Sequence, residues 1–432
     1  MIDGTPVIRT IGMHTLHFAS TAVNLRNIIV DKLKEYELNL ENIFSITTDN
    51  GANVLKAVAE INEAYQKERN MTIVLHNESE DASIHEISDE EMDMDIFDEN
   101  YYIDLLNNLR LQFGNLDYSN LIMGLSCAAH CLHNVVKKAI EKSSATEQLL
   151  KRVRELLIRL TELHEYCKTL TEDRRIQQQL LNDEEWNHID KLIALLEPFY
   201  IHTIKLQSNS CTLSDFYGYW MTIKFKLNKL NDDGTGLRTL LLQEMEQYTT
   251  MLLDNPVIIA AAFLDPRYQI SLNAEKKELA ISFLAGLHKR VMDLKKQTEI
   301  EPDTQLTNNN DRDDFRNFLC SMRGEDEAAD VRHQERISQE SEILNQLKSF
   351  SGTEISSTES ILQYWQTQKC KNPLLYALSC IILSVPPTQT SVERAFSALA
   401  IVLSPRRTRL SDKTLQNILL VRLNQSLLLA LK

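Results

Sequence analysis

Hydrophobic residues recur along most of the chain at the three-to-four spacing of a single helix face. Val23, Ile28, Ile29, Leu33 and Tyr36 predict a helix over 21–36. Leu149, Val153, Leu156, Leu160, Leu163, Cys167 and Leu170 predict a longer amphipathic helix over 146–170. Asn182, followed by Asp183-Glu184-Glu185-Trp186, carries a capping signature. The helix it opens runs to Pro198 or past it, with Leu192, Leu195 and Leu196 on the apolar face. Helical pattern continues over 211–250, with a break at Asn231-Asp232-Asp233-Gly234. Cys127, His130 and Cys131 read as one face of a helix, and Asp265-Pro266 as a turn. β-type runs are few and short: Val7–Met13 and Ile43–Thr48. Near the C-terminus Pro386-Pro387 stops an apolar run. Thr390 or Ser391 then caps a helix with Glu393 in its first turn, Pro405 ends it, and Ser411-Asp412 caps a last apolar helix.

Composition supports a folded, helix-rich protein. The 432 residues suffice for two or three domains, and 11 Gly and 9 Pro are too few for a many-turned β architecture. A net charge of -15 argues against a protein that coats nucleic acid indiscriminately, because phosphate neutralisation needs clustered Lys and Arg. The charge is uneven. Residues 76–100 hold 11 Asp or Glu and no Lys or Arg, and read as a solvated insertion. Thr304–Asp314 and Arg323–Glu342 read as polar linker. The seven cysteines are scattered without Cys-x-x-Cys spacing, which points to reduced thiols in an intracellular compartment. No run has the length of a membrane span, and no signal-peptide pattern opens the chain.

Several residues carry candidate chemistry. Asp49 ends a β-rich run and precedes a helical one, a way to aim a carboxylate; Asp49-Asn50-Gly51 is equally good turn chemistry. Cys127, His130, Cys131 and His133 lie within seven residues. On one helix His133 falls off the shared face, and a structural zinc draws ligands from separate elements, so no zinc site is expected. Glu393 on spacing alone complements a helix N-terminus. Arg406, Arg407 and Arg409 form a basic turn that could touch phosphate or stay solvated.

The order of these motifs is more specific than any one of them. Pro387-Thr388-Gln389-Thr390-Ser391-Val392-Glu393-Arg394-Ala395-Phe396-Ser397, then Arg406-Arg407-Thr408-Arg409-Leu410-Ser411, then an apolar helix, resembles the C-terminal region of hAT-superfamily (hobo–Activator-type) transposases and their domesticated relatives, BED-finger proteins among them. Thr47-Thr48-Asp49-Asn50-Gly51-Ala52-Asn53-Val54 is similar to the family's strand bearing the second catalytic Asp, and Cys127 with His130 to its Cys-x-x-His helix. The resemblance is densest over 7–60, 121–140 and 361–424, with Leu264–Tyr268 and Trp365 as further matches. It implies an α/β RNase H-like core interrupted by a large all-α insertion domain, helix-rich overall. The expected divisions are 1–140 (with the acidic insertion near 76–100), 141–355 (with a disordered loop near 300–345) and 356–432.

By this resemblance Asp49 and Glu393 are catalytic candidates that would hold Mg2+, and Cys127 and His130 would support them. Leu374, Leu375, Leu378, Ile381, Phe396, Leu415, Ile418 and Leu419 would serve dimerisation within Asn372–Asn424. Phosphodiester cleavage of this type uses three acids and two metal ions. The first Asp is expected upstream of Val7–Met13, earlier than the chain begins. The family's Thr-Arg-Trp-Asn-Ser string does not follow Cys167, and no BED finger is present. The expectation is therefore a nuclear, dimeric or larger hAT-derived protein, catalytically incomplete as given. Two alternatives stand beside it: a fragment of an active Mg2+-dependent DNA transposase, and a non-enzymatic nuclear scaffold that binds DNA or protein partners.

Overall fold

The computed structural model describes residues 21–49, 56–62, 65, 121–166, 181–230, 236–299, 340–352, 359–403 and 410–425. Val7–Met13, the acidic stretch 76–100, most of the expected loop near 300–345 and the arginine turn lie outside these residues. The described residues are mainly helical, around a small parallel pair of strands. An RNase H-like core is not established by this pair.

Helix α1 (Ala22–Glu35) is capped by Thr21 and followed by β1 (Ser45–Thr48). β1 pairs in parallel with β2 (Met123–Ser126), with Ser45 opposite Met123 and Thr48 opposite Ser126. The sequence pattern does not signal β2. The helix, α2 (Ala128–Lys142), starts only after the strand. A four-residue apolar run has no period of its own, so the β1 backbone decides its conformation. The other edge of β2 is covered by side-chain amides. Asn62 Nδ2 donates to Ile122 O at 2.8 Å, Ile122 N donates to Asn62 Oδ1 at 2.8 Å, and Asn255 Nδ2 donates to Gly124 O at 3.1 Å. These amides satisfy backbone groups that a further strand would otherwise take.

The helical part then follows: α3 (Ser144–Tyr166), α4 (Asp183–Leu206), α5 (Leu213–Lys229), α6 (Leu237–Leu253), α7 (Pro256–Phe263) and α8 (Ala274–Glu299). α4 opens on the expected capping box, with Asn182 Oδ1 accepting from Glu185 N and Glu185 Oε2 accepting from Asn182 N. It continues through Pro198. At the centre is α7. Pro256 pre-sets its first turn, Asn255 caps it, and all eight of its residues are buried, so it is apolar on every side. It packs against α5, α6 and α8 and against α10 (Pro373–Ile382). Burying Val257, Ile258, Ile259 and Phe263 contributes about 1.5–3 kcal/mol for each side chain.

Two polar devices weld the parts together. Arg290 on α8 is buried and donates to Leu121 O at 3.0 Å, Glu41 O at 2.8 Å and Ile43 O at 2.7 Å, closing the entry ends of both strands. The turn after α7 is a clamp. Asp265 is fully buried and paired with Arg267, which also reaches Asp215 at 2.8 Å and Glu359 O at 3.2 Å. Gly218 on α5 lies so close to Tyr268 that an added Cβ would sit 2.0 Å from its hydroxyl. A helix over 340–349, buried at Ile343 and Leu347, begins inside the stretch read as linker. Beyond it, Phe350 stacks on Trp365 of α9 (Ile361–Gln368), whose Nε1 donates to Leu264 O at 3.0 Å. The last helices are α11 (Thr390–Val402) and α12 (Asp412–Leu423), packed on each other.

Candidate functional site

Parallel strands place their carboxyl ends at one edge, where α/β proteins commonly bind ligands. Asp49 follows β1 there and is exposed. Cys127 follows β2, and its N–H donates to Thr48 O at 2.7 Å. It is fully buried at the N-cap of α2, which puts His130 in that helix's first turn.

The stretch from Pro386 to Arg394 crosses this edge and is pinned by backbone contacts. Thr47 Oγ1 donates to Pro386 O at 3.0 Å, and Ala128 N to Pro387 O at 2.9 Å. Gln389 Nε2 donates to Thr47 O at 2.9 Å, while Gln389 N donates to Cys127 Sγ at 3.4 Å. The Cys127 thiol thus acts as an acceptor that holds the root of α11. The first turn of α11 carries Glu393 to His130, with Nε2 3.9 Å from Oε1. Both side chains are substantially exposed, so this is a weak, water-screened pair that attracts only when His130 is protonated. Two buried polar atoms at the edge, Thr48 Oγ1 and His130 Nδ1, have no hydrogen-bond partner. Such orphans cost about 1–3 kcal/mol each and call for an explanation.

Arg394 anchors α11 on the opposite side. Nη1 donates to Asn209 Oδ1 at 2.6 Å and Nη2 to Gln207 O at 2.8 Å, in the turn after α4. A cleft of about 210 Å³ lies between that turn and Ser384–Ser391. Cys211 borders it, and burial pushes its thiol far up, so it stays protonated and non-nucleophilic at neutral pH.

The structure brings Asp49, Cys127, His130 and Glu393 to one sheet edge. Arg406, Arg407 and Arg409 lie outside the described residues. His133 is exposed. Among the described residues no group of three His, Cys, Asp or Glu could hold a metal ion. Sequence reasoning missed Gln389 and Arg394 as anchors, and missed the joining of Asp215 to Arg267. Their partners lie 342, 185 and 52 residues away, so no local spacing signals them.

The proposed dimerisation residues divide sharply. Leu375 and Leu378 are buried in this chain's own core, and Leu374 and Ile381 pack against it. Leu415 and Leu419 are buried where α11 and α12 meet, whereas Phe396 is 59% exposed and Ile418 is exposed too. Val392, Ile401, Leu403 and Val421 join them at the surface.

Residues 335–424 match the hAT family C-terminal dimerisation region. The matched stretch starts well before Asn372 and includes the 340–349 helix and α9. Its first part is built into the helical core, and its last two helices stand out from it. No curated protein matches the chain. Among the described residues no helix is long and apolar enough to cross a membrane.

Proposed function

We propose that this chain is a hAT transposase-derived protein that forms a homodimer through the outer face of α11 and α12. In this reading β1 and β2 belong to an RNase H-like frame, Asp49 and Glu393 stand at two of its acid positions, and the centre is catalytically incomplete as given. The carrying observation is the apolar stripe of Val392 and Phe396 on α11 and Leu403 at its C-cap. It is uncovered within the chain and lies inside the matched dimerisation region. A helix with one apolar face inside its own chain and another outside is suited to a second copy.

Sedimentation of the full chain tests the assembly. Phe396→Glu is expected to convert a dimer to a folded monomer; a dimer unchanged by Phe396→Glu and Val421→Glu together overturns this use of α11 and α12.

A second reading, a piece of an active Mg2+-dependent DNA transposase, is favoured by one observation: Asp49, His130 and Glu393 share an edge with two orphaned polar atoms. DNA cleavage in Mg2+ that vanishes in both Asp49→Asn and Glu393→Gln would replace the first reading with this one. Nuclear placement, DNA contact through Arg406, Arg407 and Arg409, and a scaffold role for the acidic 76–100 stretch remain part of the hAT-based proposal.

A further inference from the structure

A second uncovered apolar stripe runs along α4, outside the matched region. Trp186, Ile193, Tyr200 and Ile204 are all exposed. At about 100° per residue they fall on one line of the helix. Their opposite face, with Leu192, Leu195, Phe199 and Leu206, is buried. We infer that this stripe is the other half of the homodimer interface and receives α12 of a second copy. The inference rests on the proposed dimer and says where its remaining area lies.

Three observations argue for that occupant. The first is area. α11 has 13 residues and α12 has 12. At about 1.5 Å per residue and about 10 Å across, their outward faces come to about 200 Å² each. A stable interface covers about 800 Å² per partner, so these two helices supply about half. The α4 stripe adds about 27 Å of helix length. The second is continuity. Thr388 Oγ1 donates to Leu206 O at 3.4 Å, and Arg394 holds Gln207 and Asn209, so the end of α4 is tied to the root of α11.

The third is charge. Asp190 and Glu197 are exposed and interleave with the apolar residues of the stripe. Two α4 stripes laid antiparallel about Ile193 would set Asp190 of one copy beside Glu197 of the other, which disfavours α4 pairing with itself. α12 instead presents exposed Arg422 beside Ile418 and Val421.

The test is sedimentation equilibrium of the full chain. Substituting Ile193→Glu with Tyr200→Glu is expected to raise the dimer Kd by at least about tenfold. Ile270→Glu, at an exposed apolar residue off the stripe, is expected to change it by less than about twofold. Glu197→Lys should weaken the dimer, and adding Arg422→Glu should restore it. An unchanged Kd in the Ile193/Tyr200 pair, with Phe396→Glu still dissociating the dimer, overturns this inference alone. Failure of the charge reversal to restore overturns α12 as the occupant. A monomeric wild-type chain overturns both this and the proposed dimer.

Discussion

α7 and α11 are both rich in apolar residues, yet they meet opposite fates. All eight residues of α7 are buried, whereas α11 buries Ala398 and Val402 and leaves Val392, Phe396 and Ile401 in the open. α7 is apolar all round and has neighbours on every side. α11 has polar residues between its apolar ones, and α12 covers a single face of it. The contrast separates the two uses of apolar surface within the matched region and its surroundings. α10 and α7 spend theirs on the chain's own fold, whereas α11 and α12 leave part of theirs uncovered, the part proposed above to serve association.

That division can be broken most strongly at the clamp after α7. Arg267→Ala leaves the fully buried Asp265 without its main partner and is expected to cost about 3–5 kcal/mol in urea unfolding. A loss below about 1 kcal/mol would mean that the α7 turn is not what joins α5 to the 340–368 segment. Next comes α7 itself: Ile259→Ala is expected to lower stability by about 2–5 kcal/mol through a cavity with no exit to solvent. The same kind of truncation on the other side of the comparison, Phe396→Ala, should change monomer stability by less than about 0.5 kcal/mol while weakening association. Comparable stability losses for Ile259→Ala and Phe396→Ala would erase the distinction.

The smallest expected effect concerns pH. Burial holds the pKa of His202 below its ordinary 6.5, against an opposing hydrogen bond with Pro198 O. The unfolded chain therefore takes up a proton that the folded chain resists. The stability linked to His202 is fully present above pH 6.5 and falls as the solution is acidified below it. Tm measured from about pH 7.5 to about pH 5 should drop less in His202→Gln than in the wild type. Parallel curves would remove His202 from the account.

Much of the helical part is legible in sequence because its signals are local. The Asn182 capping box, the Ser411 cap and the Pro256 start each act within three residues. The four-residue strand β1 is legible from its β-branched content, and β2 is not, since Met123–Ser126 takes its conformation from β1. The candidate edge was half legible. Motif order pointed to Asp49, Cys127, His130 and Glu393, and the structure brings them to one edge. Hydrophobicity alone could not tell Leu375 and Leu378, which fill the core, from Phe396 and Ile418, which face outward. Periodicity marks which residues share a face and is silent on what covers it.

The pinning of β1 by Gln389 has a consequence for how the protein is made. The two groups are 342 residues apart, and Arg290 is 247 residues from the carbonyl of Ile43 that it satisfies. A ribosome adding about 5–20 residues per second needs roughly 17–70 s to deliver Gln389 after Thr47 has emerged. Through that interval the early strand waits for partners not yet synthesised, and its exposed edge is open to chaperones and to like strands on neighbouring nascent chains.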